Sequence, residues 1–511
     1  MNPGFELVRQ RLTDIFPPAE FYLHAFPILI FLVAAASALL IGVFRSNPER
    51  PSFTAYGISV TAALGALLAS SFGTAAPKAY LGAGFLYDSL TQFGMIAVVL
   101  GTLATLFLAS CTNTGRNLLR AELVALLLIA SAGLMILLSA GEFLTFFIGL
   151  ELTSIPLYIL VGFQRHSANG LEAAVKYFIL GAVAAAFILL GMAFLYLSTG
   201  SLQWQHLSRL VLDRNHPFAI AGALLFASGV AFKLALAPFH MWAPDVYQGA
   251  NSLLTGYMAG MVKLGVVFAL VRVLSAGLID SQSYLMWIFW FLGAASVVVG
   301  SLMGLVQKSI RRILAYSSIA NAGFFALAFA VLAFTPNHAM ARQALIAYTF
   351  IYAILTLGAF GVLAWLEEGS EEDLKRHALD GLGKRNPFAA TLFTIFLIGL
   401  AGIPPVSGFF GKLWILNSAV SGNLVGLAII LALFSTVSLY YYLQLITAMW
   451  FHAPTEHTAE GKLDASVAPR MRWTLALLAT ASLAIGIVGP RFAIKLDTRV
   501  AKPVAPTART P

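Results

Sequence analysis

Apolar runs long enough to cross a bilayer recur from one end of this sequence to the other. Their approximate bounds are 25–44, 53–72, 90–110, 121–140, 142–163, 172–197, 217–250, 252–275, 284–305, 309–333, 341–366, 387–420, 423–451 and 471–490. A spanning helix needs about 20 mainly apolar residues. The runs are continuous rather than alternating, which excludes a transmembrane barrel. In lipid every backbone polar group needs a partner inside the protein, so such runs form helices. The expected fold is an all-α polytopic membrane protein with about 14 transmembrane helices. Composition agrees: 59% of the 511 residues are hydrophobic and 10% are charged, where soluble domains carry roughly 25%. Both a soluble globular protein and a disordered chain are thereby excluded. The first 24 residues hold Pro17, Pro18 and three acids. No small-residue cleavage site follows, so the first run is expected to be a retained helix.

Two runs, 217–250 and 387–420, are too long for one crossing, and each has a breaker near its middle. These are APFHMWAP, Ala237 to Pro244, and GIPPVSG, Gly402 to Gly408. Proline ends the helix that precedes it. Irregular backbone at membrane depth is tolerated only where protein buries it or it lines a wet cavity. Paired broken helices are the mark of inverted-repeat transporters. The breaks fall in spans seven and twelve. A five-helix unit crosses an odd number of times, so its second copy is inverted. Two inverted five-helix repeats are therefore expected, helices 4–8 and 9–13, with helices 7 and 12 discontinuous. The domains are then 1–120 (helices 1–3), 121–275 (first repeat), 284–451 (second repeat) and 452–511 (a loop, helix 14 and a basic tail).

Charge orients the chain. The net charge is +9, which in a soluble protein would suggest nucleic acid. Here most basic residues sit in short loops, where they set orientation. Loops after odd-numbered spans hold fifteen Lys and Arg. Loops after even-numbered spans hold five: Lys78, Arg209, Arg214, Arg272 and Arg342. Odd loops are therefore expected in the cytoplasm and both termini outside. The long loop Glu367 to Asn386 places acids before bases, which suits a short surface helix, more a solvated face than a docking site.

Seven further basic residues lie in the tails, which leaves four inside spans, all lysines: Lys176, Lys233, Lys263 and Lys412. Arginine does not deprotonate in practice, whereas a desolvated lysine can. Glu151 and Lys263 fall near mid-membrane, where an unpaired charge costs about 2.5–3.5 kcal/mol on insertion scales. If helices five and seven adjoin, Glu151 and Lys233 can face each other. At an effective dielectric of about 20, opposite charges attract by roughly 3 kcal/mol at about 5 Å and roughly 1.7 kcal/mol at about 10 Å. That difference is worth about one pKa unit. A lysine whose carboxylate partner moves can thus gain or lose a proton, and the alternative is a static buried ion pair. Lys176 follows Glu172 by four residues; it either supports Glu151 or anchors a helix end. His240 lies inside the first break and is a candidate relay member. Asp245 is expected to cap the helix that follows. Tyr177, Tyr348 and Tyr352 receive no assignment.

The single Cys111 rules out an internal disulfide and a multi-cysteine metal site, and no Walker A sequence or paired membrane histidine is present. The chain is therefore expected to hold no metal, nucleotide or redox cofactor, and its chemistry to be protons or small cations.

Five stretches carry a resemblance: 149–165 (GLELTSIPLYILVGFQR), 172–200 (EAAVKYFILG onward), 229–250 (GVAFKLALAPFHMWAPDVYQGA), 311–323 (RRILAYSSIANAG) and 400–412 (LAGIPPVSGFFGK). Together they resemble the antiporter-like membrane subunits of the bacterial proton-pumping NADH–quinone oxidoreductase, respiratory complex I, and subunit N above all. The resemblance covers about helices 4–13. It implies a proton-translocating subunit of a bacterial inner-membrane translocase, with both termini on the periplasmic side. It implies other membrane subunits and lipid as partners, with no nucleic acid. NADH, FMN, iron–sulfur clusters and quinone would reside in those partners, leaving no redox centre here. By matched position, Glu151, Lys233, Lys263 and Lys412 would form the relay, with Lys176 and His240 supporting it. The alternatives are an Mrp-type cation/proton antiporter subunit and a non-pumping scaffold. Two departures stand out. Asn321 occupies a place where the family often has histidine, so a proton step there needs water or a neighbour. A Pro-containing stretch usual after VYxGA reads NSLLTGYMAG here.

Overall fold

The computed structural model describes residues 17–45, 47, 50–72, 77–163, 167–204, 217–275, 284–335, 338–368, 373–454 and 469–495. Of the basic residues that entered the orientation count, Arg165, Arg209, Arg214 and Lys462 lie outside the described residues.

Each apolar run folds as helix. These are α1 (Ala19–Val43), α2 (Phe53–Phe72), α3 (Ser89–Ala109), α4 (Ala121–Ser139), α5 (Phe143–Val161), α6 (Ala168–Thr199) and α7a (Pro217–Leu234) with α7b (Trp242–Gly249). They continue with α8 (252–275), α9 (Tyr284–Leu305), α10 (Ile310–Phe334), α11 (Ala339–Leu366), α12a (Pro387–Ala401) with α12b (Ser407–Ser421), α13 (Val425–Phe451) and α14 (Pro469–Lys495). Among the described residues 13 helices are long and apolar enough to span a membrane, and the two halves of helix twelve supply the fourteenth crossing. Helices α8 and α10 sit at the centre: 94% of the most apolar stretch of each is buried, against 33% in α1. Their apolar residues therefore face protein all round, as the absence of any polar face requires.

Two features are not expected from hydropathy. Between α2 and α3 the chain makes an antiparallel hairpin, β1 (Lys78–Tyr80) with β2 (Phe85–Tyr87). Lys78 is tied there to Glu20 of α1, and that hydrogen-bonded carboxylate raises the pKa of its ammonium. A π turn, Met258–Val262, interrupts α8 directly before Lys263.

The structure corrects three expectations. Arg272 is not in an outer loop. It lies in the last turn of α8 and is 1% exposed. Its Nη1 donates to Asp88 Oδ2 at 2.8 Å and its Nε to Leu138 O at 3.1 Å. Asp88 itself caps α3 by accepting from Thr91 N. The loop from Glu367 is not one surface helix. Residues 369–372, with the acids Glu371 and Glu372, lie outside the described residues. The described part holds two short turns, Arg376–Leu379 and Leu382–Arg385, and Glu367 is buried against Arg311 at 2.7 Å. Asp245 is not an N-cap. It stands within the first turn of α7b, and its carboxylate bridges Lys176 (2.8 Å) and Arg312 (2.8 Å).

Breaking a buried pair strands a charge at a cost of about 3–5 kcal/mol. Arg272→Met should destabilise the protein by that order in thermal or denaturant unfolding, and adding Asp88→Leu should recover most of the loss.

Candidate functional site

The two breaks create the site, because they leave backbone groups that only protein can satisfy. Helix α7a ends at Ala235, whose φ of 56° is costly for a residue with a Cβ. Leu236 N returns to Ala231 O at 2.9 Å, closing the helix as a left-handed C-terminal motif does. Across the break, Ala237 N donates to Ser296 Oγ (2.8 Å), and Trp242 Nε1 donates to Phe232 O (2.9 Å). Helix α12a ends at Gly402 with φ +84°, a conformation that favours glycine. Its last carbonyls, Leu400 O and Ala401 O, each accept from Lys412 Nζ at 3.0 Å. An ammonium there also meets the negative end of the half-helix dipole.

Lys233 sits in the last turn of α7a and is 4% exposed. Its Nζ donates to Ser154 Oγ (2.8 Å) and Tyr158 OH (3.0 Å), and lies 3.7 Å from Glu151 Oε1. Glu151, Ser154 and Tyr158 stand at i, i+3 and i+7 of α5, so one helical face presents all three. Glu151 Oε1 is buried without a hydrogen-bond partner. Lys263 is 1% exposed and meets no carboxylate among the described residues. It donates to Ser318 O (2.9 Å) and Ser318 Oγ (2.6 Å), beneath the Tyr352 ring at 5.5 Å. Lys412 also donates to Ser435 Oγ at 3.1 Å and lies 5.1 Å from the Phe324 ring centre.

Lys176 does not join Glu151. It is half-exposed and pairs with Glu172 (2.7 Å) and Asp245 (2.8 Å). His240 lies inside the break, and its Nδ1 is buried without a hydrogen-bond partner.

A contact chain links Lys233 to Lys263 through residues that hydropathy and charge did not single out. Tyr158 meets Tyr177 edge-on at 4.7 Å, and Tyr177 stacks on Trp242 at 4.7 Å. Trp242 meets Tyr247, whose hydroxyl reaches Ser318 Oγ at 3.3 Å. Tyr352 OH donates to the same Ser318 Oγ at 2.8 Å. The face shared with Glu151 was the one signal available for Ser154 and Tyr158. Ser318 carried none, because its partner is 55 residues away. Among the described residues no cluster of three His, Cys, Asp or Glu is placed to hold a metal.

A chain with fourteen crossings, two broken helices and a buried series of lysines defines the antiporter-like membrane subunits, and the comparisons agree. Residues 140–438 match the family described as NADH:quinone oxidoreductase/Mrp antiporter, transmembrane, and the chain belongs to that family. It is 34% identical to NADH-quinone oxidoreductase subunit N 1 of Rhizobium meliloti, over 84% of this chain and 88% of that one. It is 33% identical to subunit N of Nitrosomonas europaea, over 84% and 89%. Among solved structures, a chain of respiratory complex I from Thermus thermophilus with bound aureothin superposes with TM-score 0.77 at 32% identity, covering 92% of this chain and 98% of that one. A chain of the Mrp complex from Dietzia shares the fold, with TM-score 0.77 at 21% identity, over 92% and 96%.

The Lys412 contacts depend on close approach of the two half-helices. A Cβ on Gly408 would lie 1.8 Å from Gly399 O, a backbone atom that cannot turn aside. Gly408→Ala should therefore separate α12a from α12b and lower the thermal stability of the protein, whereas Gly426→Ala, which meets nothing within 4 Å, should leave it unchanged.

Proposed function

We propose that this chain moves protons as the subunit N of an NADH–quinone oxidoreductase, through a buried relay of Glu151, Lys233, Lys263 and Lys412. One contrast carries the reading. Charge pairs away from the relay close tightly: Arg311–Glu367 at 2.7 Å, Lys176–Asp245 and Arg312–Asp245 at 2.8 Å. Lys233 and Glu151 stand 3.7 Å apart, and among the described residues Lys263 and Lys412 are held by neutral oxygens alone. A pair that serves packing gains by closing. A lysine left on neutral acceptors has no counter-charge to hold its proton, so a small shift in a neighbouring charge decides its state.

In this reading Glu151 and Lys233 form the switch, Lys263 is the central carrier and Lys412 the terminal one. Lys176 is a support acting through Asp245, and His240 a lower-ranked relay member at the break. Other membrane subunits of the complex surround the chain. NADH, FMN, iron–sulfur clusters and quinone belong to partner subunits, and this subunit carries no redox centre of its own. The protein occupies a bacterial inner membrane with both termini periplasmic. Repeats at 121–275 and 284–451, flanked by 1–120 and 452–511, are supported by breaks five helices apart. The matching family description also names the Mrp antiporter, which makes sodium/proton exchange the second reading. Proton uptake by vesicles at an unchanged rate without sodium is the outcome that would count against it.

In membranes holding the assembled complex, Lys263→Met should reduce NADH-driven proton translocation by about tenfold or more, with the partner subunits still co-purifying. Lys412→Arg keeps the charge and cannot release a proton, so it should impair translocation as well. Full pumping by Lys412→Arg would overturn the titrating role of that lysine.

A further inference from the structure

Helix α13 presents a row of hydroxyls between the two lysines that the contact chain above leaves unconnected. Ser435, Ser438 and Tyr442 stand at i, i+3 and i+7, which is one helical face. Seven residues at ~1.5 Å rise carry that face over about 10 Å. At one end Lys412 Nζ donates to Ser435 Oγ at 3.1 Å. At the other end the Tyr442 hydroxyl is hydrogen-bonded to Ser317 Oγ of α10. Ser317 is the chain neighbour of Ser318, which receives Lys263.

Asn321 closes the corner where α10, α11 and α13 meet. Its Nδ2 donates to Ser317 O at 2.9 Å and reaches Tyr442 OH at 3.5 Å. Its Oδ1 accepts from Tyr348 OH at 2.8 Å. Ser317, Asn321, Ser438 and Tyr442 are each 3% exposed or less. Burying such groups is costly unless they are hydrogen-bonded, and packing alone would be served as well by alanine and phenylalanine. Ser438 Oγ donates back to Ser435 O at 2.7 Å, so the row is interrupted until that hydroxyl rotates.

We propose that Ser317, Tyr442, Ser438 and Ser435 conduct protons between Lys263 and Lys412, and that Asn321 is the residue that positions Tyr442 and Ser317 for it. This rests on the proton-translocating reading. Lys263 gives its proton to Ser318 Oγ. From there each hydroxyl oxygen accepts a proton from the group before it and releases its own to the group after it. The transfer is direct between Ser317 and Tyr442 and between Ser435 and Lys412. It runs through bridging water across the gaps at Ser318–Ser317, Tyr442–Ser438 and Ser438–Ser435. Lys263 ends one proton poorer and Lys412 one richer, and no bond to carbon changes. The Asn321 amide only orients its neighbours.

The test uses the assembled complex in membrane vesicles, with dye quenching for proton translocation and NADH oxidation by an artificial acceptor as the measure of assembly. Tyr442→Phe and Ser435→Ala should each lower translocation by about tenfold at unchanged acceptor activity. Tyr440→Phe, on the exposed side of α13 (58% exposed), should pump like the parent. Asn321→Leu should lower translocation as Tyr442→Phe does, and Asn321→Gln, which keeps an amide, should recover part of it, a rescue that a purely packing role would not produce. Parent-like pumping by Tyr442→Phe and Ser435→Ala, with Lys263→Met inactive, would overturn the α13 branch and leave the translocation reading intact. Parent-like pumping by Lys263→Met would overturn both. If Tyr442→Phe does not assemble, Ser435→Ala decides alone, since it removes one oxygen at the far end of the row.

Discussion

A helix broken inside a bilayer leaves carbonyls that only the protein can satisfy. At the end of α12a that partner is Lys412, which donates to Leu400 O and Ala401 O. The same bonds account for a buried ammonium that meets no carboxylate. Helix end and lysine solve one another's problem, and neither would be stable at that depth alone. At α7 the division differs. Neutral side chains serve the break: Ser296 Oγ accepts from Ala237 N, and Trp242 Nε1 donates to Phe232 O. Lys233, in the last turn, is left to the face of α5 and its carboxylate.

Arginine and lysine follow separate rules in this molecule. The buried arginine, Arg272, is locked by Asp88, Thr91 and the Leu138 carbonyl. Arg311 and Arg312 hold Glu367 and Asp245 in the same closed fashion. Each guanidinium offers five fixed donors that suit a permanent clamp. The three deeply buried lysines instead rest on hydroxyls and carbonyls. Clamps at Arg272 and Arg311 bracket α8 at its two ends, since Arg311 also binds Gln248 O and Ala250 O just before it. Between those fixed ends lies the π turn that leads into Lys263, a type of irregularity frequent at functional sites.

Most of the architecture was legible before any coordinate. The spans, the two breaks and the four lysines could all be read, because bilayer insertion depends on local hydropathy and on proline. Arg272 was misread because a charge near a helix end is ordinarily at the interface, and here Asp88, 184 residues away in sequence, draws it inside. Asp245 was misread for a related reason. Its short-range pattern suits a cap, yet Lys176 and Arg312 lie 69 and 67 residues away and offer a stronger partnership than backbone N–H groups.

The sequence by itself determined how many times the chain crosses, where the crossings break and that Lys233, Lys263 and Lys412 stay inside, since each follows from transfer free energy summed over neighbouring residues. Only the tertiary structure decided what each buried charge touches. It set Glu151 at 3.7 Å from Lys233, placed Ser318 under Lys263 and aligned Tyr442 with Ser317. Those contacts join helices far apart in the chain, and helix packing rather than local propensity sets them.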